Sequence, residues 1–185
     1  MKRKIYEWPS RILSKKARAV SKDELAAMKQ LEIDLIDTCN IGMGVGLAAN
    51  QIGVLKRIVV IKPMEFGFKD FEGSDYNPEY LTLVNPKLSF SKTKKKWVEA
   101  CLSVPMVSGR VERYDSCKVV YTDTSGEEKE INAKWPFAGG LQHECDHLDG
   151  TLYLSMMSRS SRHCIIEKLR KKRKKANVTR KKNGV

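Results

Sequence analysis

Residues 142–150 read Gln142-His143-Glu144-Cys145-Asp146-His147-Leu148-Asp149-Gly150. His143 and His147 are four apart, so on a helix they share one face with Cβ atoms about 5–6 Å apart. That spacing lets two imidazoles grip one cation. Glu144 lies one step round the helix and cannot ligate beside both rings. It can reach a water at the same centre and act on its proton. The chain has three histidines, and a helix carrying two of them by chance is the bland alternative.

Two histidines leave a site unfinished, because a catalytic cation usually has three protein ligands and an open position. In the zincin proteases the third ligand lies downstream of the pair. Here the downstream donors are Asp149, His163 and Glu167, and none sits in a His-x-x-Gly-x-x-His continuation. Upstream, Cys101 stands in Glu99-Ala100-Cys101-Leu102-Ser103. A thiolate is a soft donor suited to zinc, or to ferrous iron in a mixed nitrogen and sulfur shell, and a neighbouring cation strips its proton. Taken alone, Cys101 reads as a buried apolar cysteine. A zincin-type metallohydrolase, with its third ligand after His147, stays open at this point.

Outward from the pair, residues 137–147 read as the helix that carries it, and residues 161–174 as another. An amphipathic helix is expected over 23–38, with Leu25, Met28, Leu31, Leu35 and Ile36 near one stripe and Ser21 as its cap. Glycines 42, 44 and 46 end it. Strands are expected at 57–62, 81–85, 118–122 and 129–133, with a hairpin loop between the last two and an exposed loop over 66–79. Short strands followed by helix point to an α+β fold, with short, mostly antiparallel strands packed around a central helix carrying the His-Glu-x-x-His motif. One catalytic domain is expected over 1–160, followed by a C-terminal helix and basic tail over 161–185.

The chain has 185 residues, enough for one packed domain at 41% hydrophobic content. No run approaches the ~20 apolar residues of a membrane span, and the basic start lacks the apolar stretch of a secretory signal. The expectation is a monomeric cytoplasmic protein, in a bacterium, an organelle or a virus-infected host, with no membrane partner. Cys39, Cys101, Cys117, Cys145 and Cys164 are odd in number and irregularly spaced, against a disulfide framework. Cys39, Cys117 and Cys164 read as packing residues, Cys145 as facing the interior, Trp8, Trp97 and Trp135 as core or pocket-wall aromatics, and Asp146 as an acceptor for a histidine ring or an arginine. The formal net charge of +13 attracts polyanions by long-range steering, and residues 162–180 concentrate it; mere solvation of that face is the alternative.

Three segments together resemble the peptide deformylase family. Gly44-Val45-Gly46-Leu47-Ala48-Ala49-Asn50-Gln51 is similar to its Gly-x-Gly-x-Ala-Ala-x-Gln motif, residues 99–103 to Glu-Gly-Cys-Leu-Ser, and residues 143–147 to His-Glu-x-Asp-His. They stand in the family's order, and the likeness runs from about residue 9 to residue 154. The resemblance implies that Cys101, His143 and His147 bind one divalent metal, usually ferrous iron, with zinc, nickel or cobalt as substitutes. It implies that Glu144 moves the proton, while the Gln51 amide and the Leu102 backbone N–H receive the developing oxyanion. Val45, Gly46 and Glu99 fall among its substrate-binding positions. The substrate it implies is the formyl-methionyl end of nascent polypeptides, with formate as product. Some bacterial members dock on ribosomal RNA through a C-terminal helix, which the basic tail parallels. A member of the fold that has lost catalysis and only binds ribosomal RNA is a third reading; intact Glu144 and Gln51 count against it.

Two departures are visible. Ala100 stands where the family pattern has glycine, and a positive φ there would cost about 1–2 kcal/mol. Gly139 and Gly140 stand one turn before His143, where the family commonly has bulkier aliphatic residues. They weaken the helix by about 1 kcal/mol each relative to alanine, and are expected to enlarge or reshape the pocket for the methionine side chain.

Overall fold

The computed structural model describes residues 1–68 and 79–182, with side chains up to residue 174. Most of the loop expected over 66–79 lies outside the described residues. The element order is α1 (Leu25–Ile41), β1 (Gly46–Ala48), β2 (Ile58–Ile61), β3 (Leu81–Phe90), β4 (Lys94–Cys101), β5 (Val104–Tyr114), β6 (Ser116–Thr122), β7 (Glu128–Lys134), α2 (Phe137–Leu148) and α3 (Arg159–Lys182). Five strands pair antiparallel in the order β1-β2-β3-β6-β7, and β4 pairs with β5 as a separate hairpin. The fold is α+β.

The sequence of β2 shows why the sheet sits where it does. Ile58-Val59-Val60-Ile61 is fully buried along its length, which a strand requires when both sheet faces are covered. Val59 and Ile61 face a cluster with Phe137, Ala138, Leu141 and Leu148 of α2. Ile58 and Val60 face Met28, Leu31 and Leu35 of α1. Alternation of period two thus sends one strand's side chains to two helices. Every residue of α2 except Asp146 is buried, so the helix bearing the histidine pair is the central one.

A third cluster joins Cys101, Val104 and Val111 of the hairpin to Tyr153, Leu154 and Met157, and to Ile165 and Leu169 of α3. The first turns of α3 are therefore part of the packed body, although its remaining faces are polar. Cys164 is exposed, correcting the expectation of a packing residue: its neighbour Ile165 takes the inward position. Among the described residues no helix is long and apolar enough to cross a membrane.

Ser21 opens the approach to α1, where its N–H donates to the Glu24 carboxylate at 3.1 Å. The loop expected between β6 and β7 is built on Asp123, whose side chain accepts from the backbone N–H of Ser125 (2.9 Å) and of Glu127 (3.0 Å). Among the described residues the non-glycine positions with positive φ are Met43, Asn85 and Met106, and Ala100 is not one of them. It lies in extended β4 opposite Ser108, so alanine carries no left-handed strain there.

Candidate metal centre

Three elements deliver the donors. α2 supplies His143 and His147 from one face; β4 ends at Cys101, which pairs with Val104 across a register shift. Leu102 and Ser103 form the tight turn between them. The 3-10 turn Ala49–Ile52, straight after β1, presents Gln51. Chain order separates these groups by up to about a hundred residues, and the sheet brings them together.

The ligating atoms of Cys101, His143 and His147 all lie within 4.8 Å of one another, and all three residues are buried. His147 Nε2 is 3.3 Å from Cys101 Sγ and 3.3 Å from His143 Nε2. A tetrahedral shell with metal–sulfur bonds of about 2.3 Å and metal–nitrogen bonds of about 2.0–2.1 Å has edges of about 3.6 Å for S–N and 3.3 Å for N–N. The N–N edge matches and the S–N edge is about 0.3 Å short of ideal, so the donor set suits one small divalent cation. The downstream alternatives are elsewhere: Asp149 pairs with Arg57 at 2.7 Å, Glu167 with Arg170 at 2.8 Å, and His163 is exposed on α3.

Behind the donors lies a network that only Glu99 and Asp146 foreshadowed. His143 Nδ1 is 2.7 Å from Glu99 Oε2, which holds the ring and directs Nε2 inward. Arg113 Nε donates to Glu99 Oε1 at 2.6 Å and its terminal nitrogen to Oε2 at 3.0 Å, and a further N–H reaches Asp146. Burial pulls the Glu99 carboxyl upward, but the hydrogen bonds from His143 and Arg113 prevail and hold it at about 2. Glu99 was expected to touch substrate. Glu99 does line the cleft, and its two oxygens are engaged by Arg113, the His143 ring and the Trp97 Nε1–H at 2.8 Å. Arg113 itself escaped the sequence reading.

Glu144 sits beside the donors, 5% exposed, with Oε2 lacking any hydrogen-bond partner among the described residues. Desolvation pushes its carboxyl up to about 7, against the positive charge of His143 and Arg113. A Cβ built on Gly46 would lie 2.6 Å from Glu144 Oε1. The glycine is thus required for the carboxylate's position, not only for backbone approach to a substrate. Gln51 Oε1 accepts from Ala48 N–H at 2.8 Å, while Nε2 donates to Ser103 Oγ at 3.1 Å and approaches Cys101 Sγ at 3.5 Å. Buried Ser103 closes the Glu99–Ser103 motif, where nothing local marks it as the partner of Gln51. Leu102 and Val45 line the cleft, whose volume is about 680 Å³.

Known proteins share this chain's sequence and fold. The profile of the family described as Polypeptide deformylase matches residues 2–163. A peptide deformylase of Maricaulis maris is 38% identical over 172 residues, spanning 91% of this chain and 92% of the relative. One from Thermoanaerobacter pseudethanolicus is 39% identical over 143 residues, 77% of this chain and 81% of the relative. The crystal structure of peptide deformylase from Ehrlichia chaffeensis superposes with a TM-score of 0.83 at 37% identity, covering 95% of this chain and 99% of that one. The same enzyme has been crystallised in complex with actinonin. The chain belongs to the polypeptide deformylase family, hydrolases that remove the formyl group from N-formyl-methionine.

Proposed function

We propose that this deformylase works with one divalent cation held by Cys101, His143 and His147, ferrous iron in its native state, on formyl-methionyl nascent polypeptides in the cytoplasm. The observation that supports the reading is the convergence of one sulfur and two imidazole nitrogens within 4.8 Å of one another. The soft sulfur with two imidazoles suits iron or zinc. When bound, the cation supplies Lewis acidity toward a carbonyl and lowers the pKa of a ligating water.

The chain's own groups divide the remaining work. Glu144 Oε2, without a partner among the described residues, accepts the proton of the attacking water and returns it to the departing amine nitrogen as the formamide C–N bond breaks. The products are formate and a free α-amine. Gln51 Nε2 and the Leu102 backbone N–H receive the formyl oxygen as negative charge develops on it. Val45 and Gly46 border the peptide, with the absent Cβ of Gly46 keeping Glu144 close to the reacting carbon. Glu99, with Arg113 behind it, fixes the His143 ring. The cleft's lining by Trp97, Val104 and Met106 among others excludes bulk water from the bond being cut.

The decisive experiment measures formate released from a formyl-Met tripeptide by iron-loaded protein under anaerobic conditions, beside Glu144→Ala and Cys101→Ala. The reading expects turnover in the wild type, a loss of about 10²–10⁴-fold in Glu144→Ala, and loss of bound metal in Cys101→Ala. A metal-replete, silent wild type contradicts it.

The basic face of α3 we assign to ribosomal RNA. Truncation before α3 would strip Ile165 and Leu169 from the core, so the test reverses the charge of exposed Lys168, Lys171 and Lys174. Co-sedimentation with ribosomes should then weaken, and its salt dependence should flatten. Unchanged binding refutes the assignment.

A further inference from the structure

The two glycines before His143 leave a gap in the face α2 turns to the cleft, and the structure fills it from another element. A Cβ built on Gly140 would lie 2.6 Å from Phe66 Cζ, 2.8 Å from Cε1 and 3.2 Å from Ile61 Cδ1. Phe66 comes from the 3-10 turn Pro63–Phe66 after β2. Its ring occupies the volume a side chain of α2 would take. Phe137, at 5.9 Å between ring centroids, and Trp97, at 6.4 Å, flank it. Gly139 is backed in the same way by Trp135, 3.2 Å from a Cβ built there. The glycines therefore do not enlarge the cleft. They exchange a helix-borne wall for an aromatic one.

Phe66, Gly140 and Trp97 line the same cleft as Glu144, Gln51, Cys101 and His143. Gly140 precedes His143 by three residues, on the same face and about 4.5 Å along the axis. A substrate whose carbonyl is held at Gln51 and Glu144 carries its first side chain on the carbon next to the amide nitrogen. An unbranched side chain of methionine's length that runs along α2 towards its start ends against the Phe66 ring. We propose that Phe66 is the specificity-determining residue for the substrate's first side chain, setting the depth of that subsite through the space Gly140 leaves open. The proposal rests on the deformylase activity and adds to it a residue outside the three motifs.

The geometry makes the pair testable as a pair. Phe66→Ala deepens the subsite, and the ratio of kcat/KM for formyl-Phe over formyl-Met tripeptides should rise at least about tenfold, the scale of one or two methylene-sized changes in an apolar pocket. Gly140→Ala displaces the Phe66 ring, which packs against the cluster holding Ile61 and Phe137 and lines the cleft. The ratio for formyl-Met over formyl-Ala should fall at least about tenfold. Adding Phe66→Ala to Gly140→Ala removes the clash and should restore that ratio to within about threefold of Phe66→Ala alone. Ratios within one variant cancel losses of folded or metal-loaded enzyme, and Phe66→Leu serves if Phe66→Ala does not fold.

Calorimetric Kd values for the unformylated Met, Phe and Ala product tripeptides on the metal-loaded proteins give the same comparison without turnover. Shifted Kd ratios in a protein that releases no formate would defeat the activity and leave the subsite standing. Ratios unchanged within twofold in both Phe66 variants, or a Gly140→Ala defect that persists in the double variant, overturn the proposal.

Discussion

Replacing Arg113 with methionine removes the cation from a cluster with little water to take its place. Arg113 and Glu99 are 3% and 2% exposed, and three guanidinium N–H groups are committed to Glu99 and Asp146. Methionine keeps much of the stem volume, so the perturbation is electrostatic rather than a cavity. It leaves the Glu99 carboxylate buried without its cation, keeping the Trp97 Nε1–H on Oε1 at 2.8 Å and the His143 ring on Oε2 at 2.7 Å. Removing one member of a buried pair costs about 3–5 kcal/mol because the other is stranded. For a chain of this size each kcal/mol shifts Tm by about 2–4 °C, so the melting temperature should drop by about 6–20 °C. The His143 ring, held by a carboxylate that has lost its charged anchor and keeps only the Trp97 N–H, should bind metal about 10–100-fold more weakly. Thermal melts of chelated and metal-loaded protein, with competition against a fluorescent chelator, read both effects. The double variant Arg113→Met/Glu99→Gln discharges the stranded carboxylate and should recover part of the lost stability. A loss below about 1 kcal/mol in Arg113→Met, or a double variant less stable than the single, would refute the reasoning.

Gln51→Leu should lower kcat about 10²–10³-fold with a smaller change in KM, since the Nε2 donor acts on charge that develops in the transition state; it should also destabilise by about 1–3 kcal/mol, because the buried Ala48 N–H loses its acceptor. A KM effect with kcat intact would remove Gln51 from the oxyanion role. Asp123 gives a pH test away from the metal. Burial raises its carboxyl, but the hydrogen bonds from Lys129, Ser125 and Glu127 together hold it below the ordinary value of 3.8. A depressed folded-state pKa means stabilisation that is complete above the unfolded value and lost as pH falls through the folded one. Asp123→Asn should therefore be less stable than wild type by about 1 kcal/mol above pH 5, with the gap closing below about pH 3.8; a gap that widens in acid contradicts this.

The parts of this molecule readable from sequence were those encoded over a few residues. The helix of residues 137–147 and the strands at 57–62 and 118–122 announced themselves through period and β-branched content, and the structure has them within one or two residues. The hairpin β4–β5 did not, because Lys94-Lys95-Lys96 opens an exposed strand whose outer positions carry charge instead of alternating apolar residues. β1, three residues long, hid in a glycine-rich turn. At the site, the histidine pair was local and therefore visible, whereas Cys101 became a ligand candidate only when three motifs were read as a set. Arg113 left no local trace. Its importance arises from tertiary juxtaposition of residues 99, 113 and 146, and an arginine on a strand otherwise reads as solvent-facing. The glycines at 139 and 140 were visible as an anomaly, but their complement, Phe66, lies more than seventy residues upstream and could be found only in space.

X-ray absorption at the metal edge of the loaded protein tests the central claim most directly. The account predicts one sulfur neighbour at about 2.3 Å together with nitrogen neighbours at about 2.0–2.1 Å, and the sulfur signal absent in Cys101→Ser. A spectrum with nitrogen and oxygen neighbours alone, or a sulfur signal that survives Cys101→Ser, would contradict it.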